Sequence, residues 1–129
     1  MSVVDASVMV RALAGRDRLP PEVRQLPAGR LQVPAIFLAE VTSGFRGLLL
    51  RDAITIEDAS VARQRLRGAR VRLHTFEPYA ERIWELRHNL SVYDAWYVAI
   101  AERLGQPLVT ADSGILGAPG LRCELIDAR

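Results

Sequence analysis

The sequence predicts an α/β fold: one parallel sheet of four to five strands, with helices on both faces. Three observations lead there. Short runs rich in apolar and β-branched residues alternate along the chain with longer amphipathic stretches, the order expected of strand–helix–strand units. The 129 residues are the size of one compact domain. No internal repeat, low-complexity tract or long linker divides them, so residues 1–129 are read as a single domain.

Ser2–Asp5 reads as the first strand and Ala6–Ala14 as the helix that follows. Pro20 and Pro21 stand where a second helix can begin, over Pro21–Leu26, because a first turn leaves its N–H groups unpaired and proline has none to lose. Leu31–Pro34 is the second strand and Ile36–Leu50 a long helix. Thr55 is an N-cap with Asp58 three residues on, and its helix runs to near Gly68. Val71–Phe76 alternates Val71, Leu73 and Thr75 against Arg72, His74 and Phe76, the period of a third strand. Pro78–His88 is an amphipathic helix. Ser91–Leu104 is another, ended by Gly105 and Pro107. Leu108–Thr110 is the fourth strand, and Arg122–Ile126 fits a fifth.

Half of the residues are hydrophobic, enough for a sizeable core without a structural metal. The single cysteine, Cys123, can form no internal disulfide and offers no thiolate cluster. The N-terminus has no basic lead-in and Asp5 interrupts its apolar run, unlike a secretory signal. No stretch approaches the roughly 18 apolar residues of a membrane span. A cytoplasmic protein with no membrane partner is the expectation. The formal charge is +2, and all 17 basic residues are arginine. Arginine's planar fork suits phosphate, so a nucleic-acid partner is permitted though not demanded.

The informative feature is where the acids fall. Most sit among arginines and read as solvated faces: Asp17 between Arg16 and Arg18, Asp52 after Arg51, Glu81 and Glu85 around Arg82, and Glu102 before Arg103. Four break that rule. Asp5 is the only charged residue in SVVDASVMV, Glu40 in LQVPAIFLAEVTS, Asp94 in NLSVYDAWYVAIA and Asp112 in GQPLVTADSGILGAPG. A carboxylate in a buried element costs several kcal/mol unless it is paired, hydrogen-bonded or neutralised.

Each has a plainer reading. Asp5 caps the helix after it, Asp112 caps a short helix at Ser113–Leu116, Asp94 stands at capping-box spacing from Ser91, and Glu40 turns outward. Taken together these readings weaken, because Asp5 and Asp112 fall at strand ends, where open α/β sheets build their sites. Carboxylates converging there repel: two charges ~4 Å apart cost roughly 4 kcal/mol at an effective dielectric of ~20. A divalent cation reverses that sign. An all-oxygen donor set suits Mg²⁺ or Mn²⁺ rather than zinc. Such a metal activates water for attack on phosphorus, so phosphodiester hydrolysis is the reaction the set suits best.

With these residues the chain resembles the PIN-domain nucleases and, within them, VapC-like toxins of type II toxin–antitoxin pairs. The resemblance rests on VVDASV, PAIFLAEV, LSVYDAWYVAIAERLGQPLVTAD and the short C-terminal strand, and so covers nearly the whole chain. It implies an α/β/α sandwich, Mg²⁺- or Mn²⁺-dependent endoribonuclease activity on RNA, a cognate antitoxin protein and a homodimer. By position Asp5, Glu40, Asp94 and Asp112 match the family's acidic quartet. Asp5, Asp94 and Asp112 are then metal ligands, Glu40 a ligand or the group that orients water, and Ser7 and Thr110 the hydroxyls that hold the carboxylates.

Three alternatives stay open: a housekeeping RNA-processing nuclease, a DNA-directed one, or a non-catalytic metal-binding module. Val8, Met9, Leu13, Leu48, Leu49 and Leu50 are core or line an antitoxin groove; Arg11, Arg46 and Arg51 flank the site or solvate helices. His74 and His88 belong to no ligand-spaced set and read as structural. Cys123 reads as a small strand residue. Trp84, Trp96, Tyr93 and Tyr97 read as core, with Tyr97 singled out because it stands one turn after Asp94.

Overall fold

A computed structural model describes residues 1–15 and 19–129. Asp17 and its arginine neighbours lie outside the described residues. Five strands form one all-parallel sheet among those described: β1 (Ser2–Val4), β2 (Arg30–Pro34), β3 (Arg70–His74), β4 (Leu108–Thr110) and β5 (Leu125–Asp127). Their order is β3-β2-β1-β4-β5. The chain therefore starts at the centre, builds outward to one edge, and returns to β1 to build the other half. The switch of direction falls between β1 and β4, where the carboxyl ends of neighbouring strands part and leave a crevice.

Helices α1 (Ala6–Ala14), α3 (Phe37–Leu50) and α4 (Ile56–Arg67) pack on one another, with the short α2 (Pro21–Gln25) against α1. A second group, α5 (Ala80–Glu85) and α6 (Val92–Leu104), packs together, and α6 crosses β1, β2 and β4. The last, α7 (Ser113–Leu116), follows β4. This is the expected α/β/α sandwich. Its core includes Val3, Val4, Met9, Phe37, Ile100 and Leu108, none of which reaches solvent. Each contributes roughly 1.5–3 kcal/mol of transfer free energy. None of the described helices is long and apolar enough to cross a membrane.

Local signals set most boundaries. Thr55 and Asp58 form the reciprocal capping box of α4. Ser91 caps α6 by accepting from the Asp94 N–H at 3.1 Å. Gly105 closes α6 with φ of 62°, a left-handed turn that glycine enters without a Cβ penalty. Helices α1 and α3 meet at Gly44, where a Cβ would stand 2.4 Å from Val10 Cγ2. A Cβ there would force the Val10 side chain to move, and glycine lets α3 approach α1 closely.

Several expectations need correction. The stretch Pro78–His88 is a 3₁₀ turn at Glu77–Tyr79 followed by only six helical residues: the Leu86 N–H is shared between Arg82 O at 3.2 Å and Ile83 O at 3.1 Å, the Arg87 N–H reaches Trp84 O at 3.2 Å, and the last turn tightens into 3₁₀ bonding. Cys123 lies in a bend before β5. Trp84 and Tyr93 are exposed, 61% and 59%, whereas Trp96 and Tyr97 are buried as expected. Glu102 is no solvated acid. Arg82 grips it with two bonds, Nε–Oε1 at 2.7 Å and Nη2–Oε2 at 3.0 Å, and the Arg122 N–H adds a third at 2.9 Å. Burial alone would raise the Glu102 carboxyl; the Arg82 fork, the Arg122 N–H and the charges of both arginines together outweigh it and hold the group below its usual range. His74 is structural as read, bonding Gln32 Oε1 through Nε2 and Tyr79 Oη through Nδ1.

Candidate active site

Asp5 stands at the mouth of the crevice because β1 ends one residue before it. Its N–H still donates to Val109 O of β4, at 3.1 Å, as a ladder bond would. Its backbone is extended, and its carboxylate turns onto the first turn of α1. Oδ1 accepts from the Ser7 N–H at 2.8 Å, the Ser7 hydroxyl at 2.5 Å and the Val8 N–H at 3.3 Å. Oδ2 accepts from Thr110 Oγ1 at 2.5 Å. Asp5 is thus both the cap of α1 and a buried carboxylate, 6% exposed, held by four donors.

Thr110 ends β4 and couples two acids. While its hydroxyl donates to Asp5, the same oxygen accepts from the Asp112 N–H at 3.0 Å. Asp112 Oδ1 accepts from the Ile115 N–H, also at 3.0 Å, and caps α7. The capping readings of Asp5 and Asp112 are therefore correct, and they are the devices that aim these carboxylates. Helix N-termini favour negative charge, which fits their placement.

Glu40 enters from α3. It is half-buried and accepts from the Tyr97 hydroxyl of α6 at 2.7 Å. That bond ties the two helix layers together across the crevice. Burial, then the bond to Glu40, then the charges of Glu40 and Asp5 hold the Tyr97 phenol far above the ordinary tyrosine range, so it stays a donor. Asp94 stands on the first turn of α6. Its carboxyl is held above the usual carboxylate range by burial first, then by the negative charge of Asp112; Asp5 and Glu40 push the same way, while Ser91 pulls against them. Asp94 thus lies within electrostatic reach of the other three lone acids, each carried on a separate element.

The donor chemistry is all carboxylate and hydroxyl oxygen, which suits a hard cation such as Mg²⁺ or Mn²⁺. The repulsion felt at Asp94 is the imbalance such a cation relieves. Among the described residues, however, no three histidine, cysteine, aspartate or glutamate side chains are arranged to hold a metal as they stand. The fit is to an ion that keeps several of its waters and takes few protein oxygens directly, as Mg²⁺ commonly does.

Two concavities lie along α3, and Glu40 lines the smaller of them. One, of about 680 Å³, runs between α1 and α3 and is lined by Ser7, Val10, Arg11, Gly44, Leu48 and Arg51, among others. The other, of about 300 Å³, is lined by Ile36, Ala39, Glu40, Ser43 and Tyr93. Arg11 does not face solvent freely; its Nη1 donates to Ala128 O at 2.7 Å and ties the C-terminus to α1. Arg46 is exposed. Val8, Met9 and Leu13 are core, Leu48 and Leu49 are partly buried, and Leu50 is 65% exposed. Reading Tyr93 as core missed its place beside Glu40. Its position next to Asp94 at a helix start was the available signal, since a first turn leaves one side of the helix uncovered.

Comparisons with known proteins give the family and the fold. The PIN domain model matches residues 2–120. The chain is 41% identical over 126 residues to VapC ribonuclease Mb0985 of Mycobacterium bovis, covering 97% of this chain and 96% of that one. It is 39% identical over 125 residues to ribonuclease VapC1 of Mycobacterium tuberculosis, covering 95% and 94%. Among solved structures, FitAcB from Neisseria gonorrhoeae superposes with a TM-score of 0.67 at 21% identity, over 99% of this chain and 98% of that one. VapBC2 from Rickettsia felis, bound to a DNA fragment from their promoter, gives 0.60 at 16% identity, over 98% and 97%.

Proposed function

The chain belongs to the PIN-domain family, and from that premise we propose that it is a Mg²⁺- or Mn²⁺-dependent endoribonuclease acting as the toxin of a toxin–antitoxin pair. The observation that carries the nuclease reading is the gathering of Asp5, Glu40, Asp94 and Asp112 at the switch point, with Asp94 disfavoured as an anion by burial and by the other three. The toxin reading is supported by relatives named VapC ribonucleases that match nearly the full chain.

Asp5, Asp94 and Asp112 would hold the cation. When bound, it would supply charge neutralisation and a water of lowered pKa. Ser7 and Thr110 fix the rotamer of Asp5, so its oxygens need no reorganisation. Tyr97 fixes Glu40, which orients the attacking water for approach to phosphorus. Oxygens held beforehand where charge develops contribute more than oxygens that must turn to meet it. The groove between α1 and α3 would receive a segment of the antitoxin. Its apolar floor of Val10 and Leu48 and its cations Arg11 and Arg51 suit an apolar segment carrying acids. A homodimer belongs to the same reading and is tested by sedimentation.

The test is cleavage of single-stranded RNA with Mg²⁺ or Mn²⁺, with EDTA and Asp94→Asn as controls. Both controls should abolish cleavage; cutting that survives them would sink the carboxylate mechanism. Expression of the wild-type chain should arrest growth, Asp5→Ala should relieve the arrest, and a toxic Asp5→Ala variant would oppose the assignment.

A further inference from the structure

Tyr93 is the feature the proposed chemistry leaves unused. It sits between the N-cap Ser91 and the acid Asp94 on α6, and the residue is 59% exposed. It does not stand alone. With Ile36 and Ala39 it forms the apolar wall of the 300 Å³ pocket, and the polar groups in that pocket belong to Glu40 and Ser43. We propose that this pocket is a base-binding subsite, in which an unpaired base of the RNA stacks on Tyr93 while its edge meets Glu40 and Ser43. The inference rests on the nuclease reading and extends it to how the strand is held.

Three observations favour a nucleotide as the occupant. First, the pocket shares Glu40 with the acidic cluster, so the phosphate joined to a base seated here lies beside the carboxylates. Second, the pocket combines a flat aromatic face with an acceptor and a hydroxyl at its rim. A base presents the complementary set, a π face and edge N–H donors. Third, Arg46 stands three residues after Ser43 on α3, on the same side of the helix, and is exposed. A guanidinium there suits the next phosphate of a strand leaving the pocket. Stacking tolerates any base, since each has a π face, so the subsite selects unpaired RNA over duplex more than one base over another.

Base–aromatic stacking of ~1–3 kcal/mol converts to roughly a 5- to 150-fold effect on binding. Tyr93→Ala should therefore raise KM for single-stranded RNA by a factor in that range, with the loss in KM rather than in kcat. Tyr93→Phe and Tyr93→Trp should restore it, because the ring and not the hydroxyl does the stacking. The ring is exposed, so the melting temperature of Tyr93→Ala should match wild type. An RNA series with one abasic nucleotide scanned past the scission point should show one sensitive position for wild type, and that sensitivity should vanish in Tyr93→Ala. Binding without cleavage is read by quenching of a 2-aminopurine RNA on the Asp94→Asn protein, with and without Tyr93→Ala.

An unchanged KM, or an abasic profile shared by both proteins, overturns the subsite. So does a Tyr93→Ala variant that turns a dimer into a monomer, or one that weakens antitoxin binding and leaves RNA untouched, since the pocket would then be a protein interface. A wild-type protein that quenches the probe through Tyr93 but cuts nothing would sink the nuclease reading and leave the subsite standing.

Discussion

Thr110→Val isolates the coupling between two acids of the site. The residue is fully buried, and valine replaces the hydroxyl by a methyl of nearly the same volume. Lost are the donor to Asp5 Oδ2 at 2.5 Å and the acceptor of the Asp112 N–H at 3.0 Å. A hydrogen bond to a charged acceptor contributes about 1.5–3 kcal/mol. Asp5 keeps its Ser7 and Val8 donors, so the carboxylate is weakened but not bare. Asp112 is exposed, so its N–H regains water, which limits its share to about 1 kcal/mol. The expected loss is ~2–4 kcal/mol, a large part of the 5–15 kcal/mol typical of a domain. Urea titration in EDTA reads it as a lower midpoint at unchanged slope. Thr110→Ser keeps the hydroxyl and gives up one buried methyl, about 1 kcal/mol. A valine variant within about 0.5 kcal/mol of wild type, or a serine variant as damaged as the valine one, would refute the claim that this hydroxyl holds Asp5 and Asp112 together.

Asp94→Asn should trade activity for stability. It removes a carboxylate disfavoured by burial and by three like charges, so in EDTA the melting temperature should rise while cleavage falls at least ~100-fold; a lower melting temperature would contradict the repulsion. Tyr97→Phe removes the donor to Glu40 and should lower kcat about tenfold with KM little changed, measured by steady-state cleavage. Saturating Mg²⁺ or Mn²⁺, at ~100 times its Kd, should stabilise the wild type by about 2.7 kcal/mol and Asp94→Asn by far less, read by thermal melts. His74 sets a pH dependence. Burial first, then Arg72 and Arg103, depress its folded pKa below 6.5. Stability is therefore fully present above pH 6.5 and is lost as pH falls through the folded value. The neutral ring donates from Nε2 to Gln32 Oε1 and accepts at Nδ1 from Tyr79, and protonation removes that acceptor. His74→Gln should flatten the pH–stability curve on its acid side; an unchanged slope would place the titration elsewhere.

Local chemistry made much of this protein legible in its sequence. The Thr55–Asp58 box, the Ser91 cap and the Gly105 terminator each act within a few residues, and the elements they bound appear where the spacing puts them. The four acids drew notice for the same reason, since each stands alone in an apolar window, although only Asp5 proves buried, Glu40 and Asp94 being partly covered and Asp112 exposed. The α/β class followed from alternating periods of 2 and 3.6. Strand order did not, because periodicity says which face is buried and not what it is buried against.

Partner choice was decided by tertiary structure alone. Nothing near Glu40 in sequence names Tyr97, 57 residues away, and nothing near Glu102 names Arg82; helix packing brings each pair together. The same packing decided which aromatic residues are covered. Trp96 and Tyr97 turn inward on α6, while Tyr93 on its first turn stays exposed and lines the pocket beside Glu40. A residue's own chemistry and its near neighbours fix what it requires. Which distant group meets the requirement depends on how whole faces of helices and sheet come to rest against each other, and a face is a property of many residues at once.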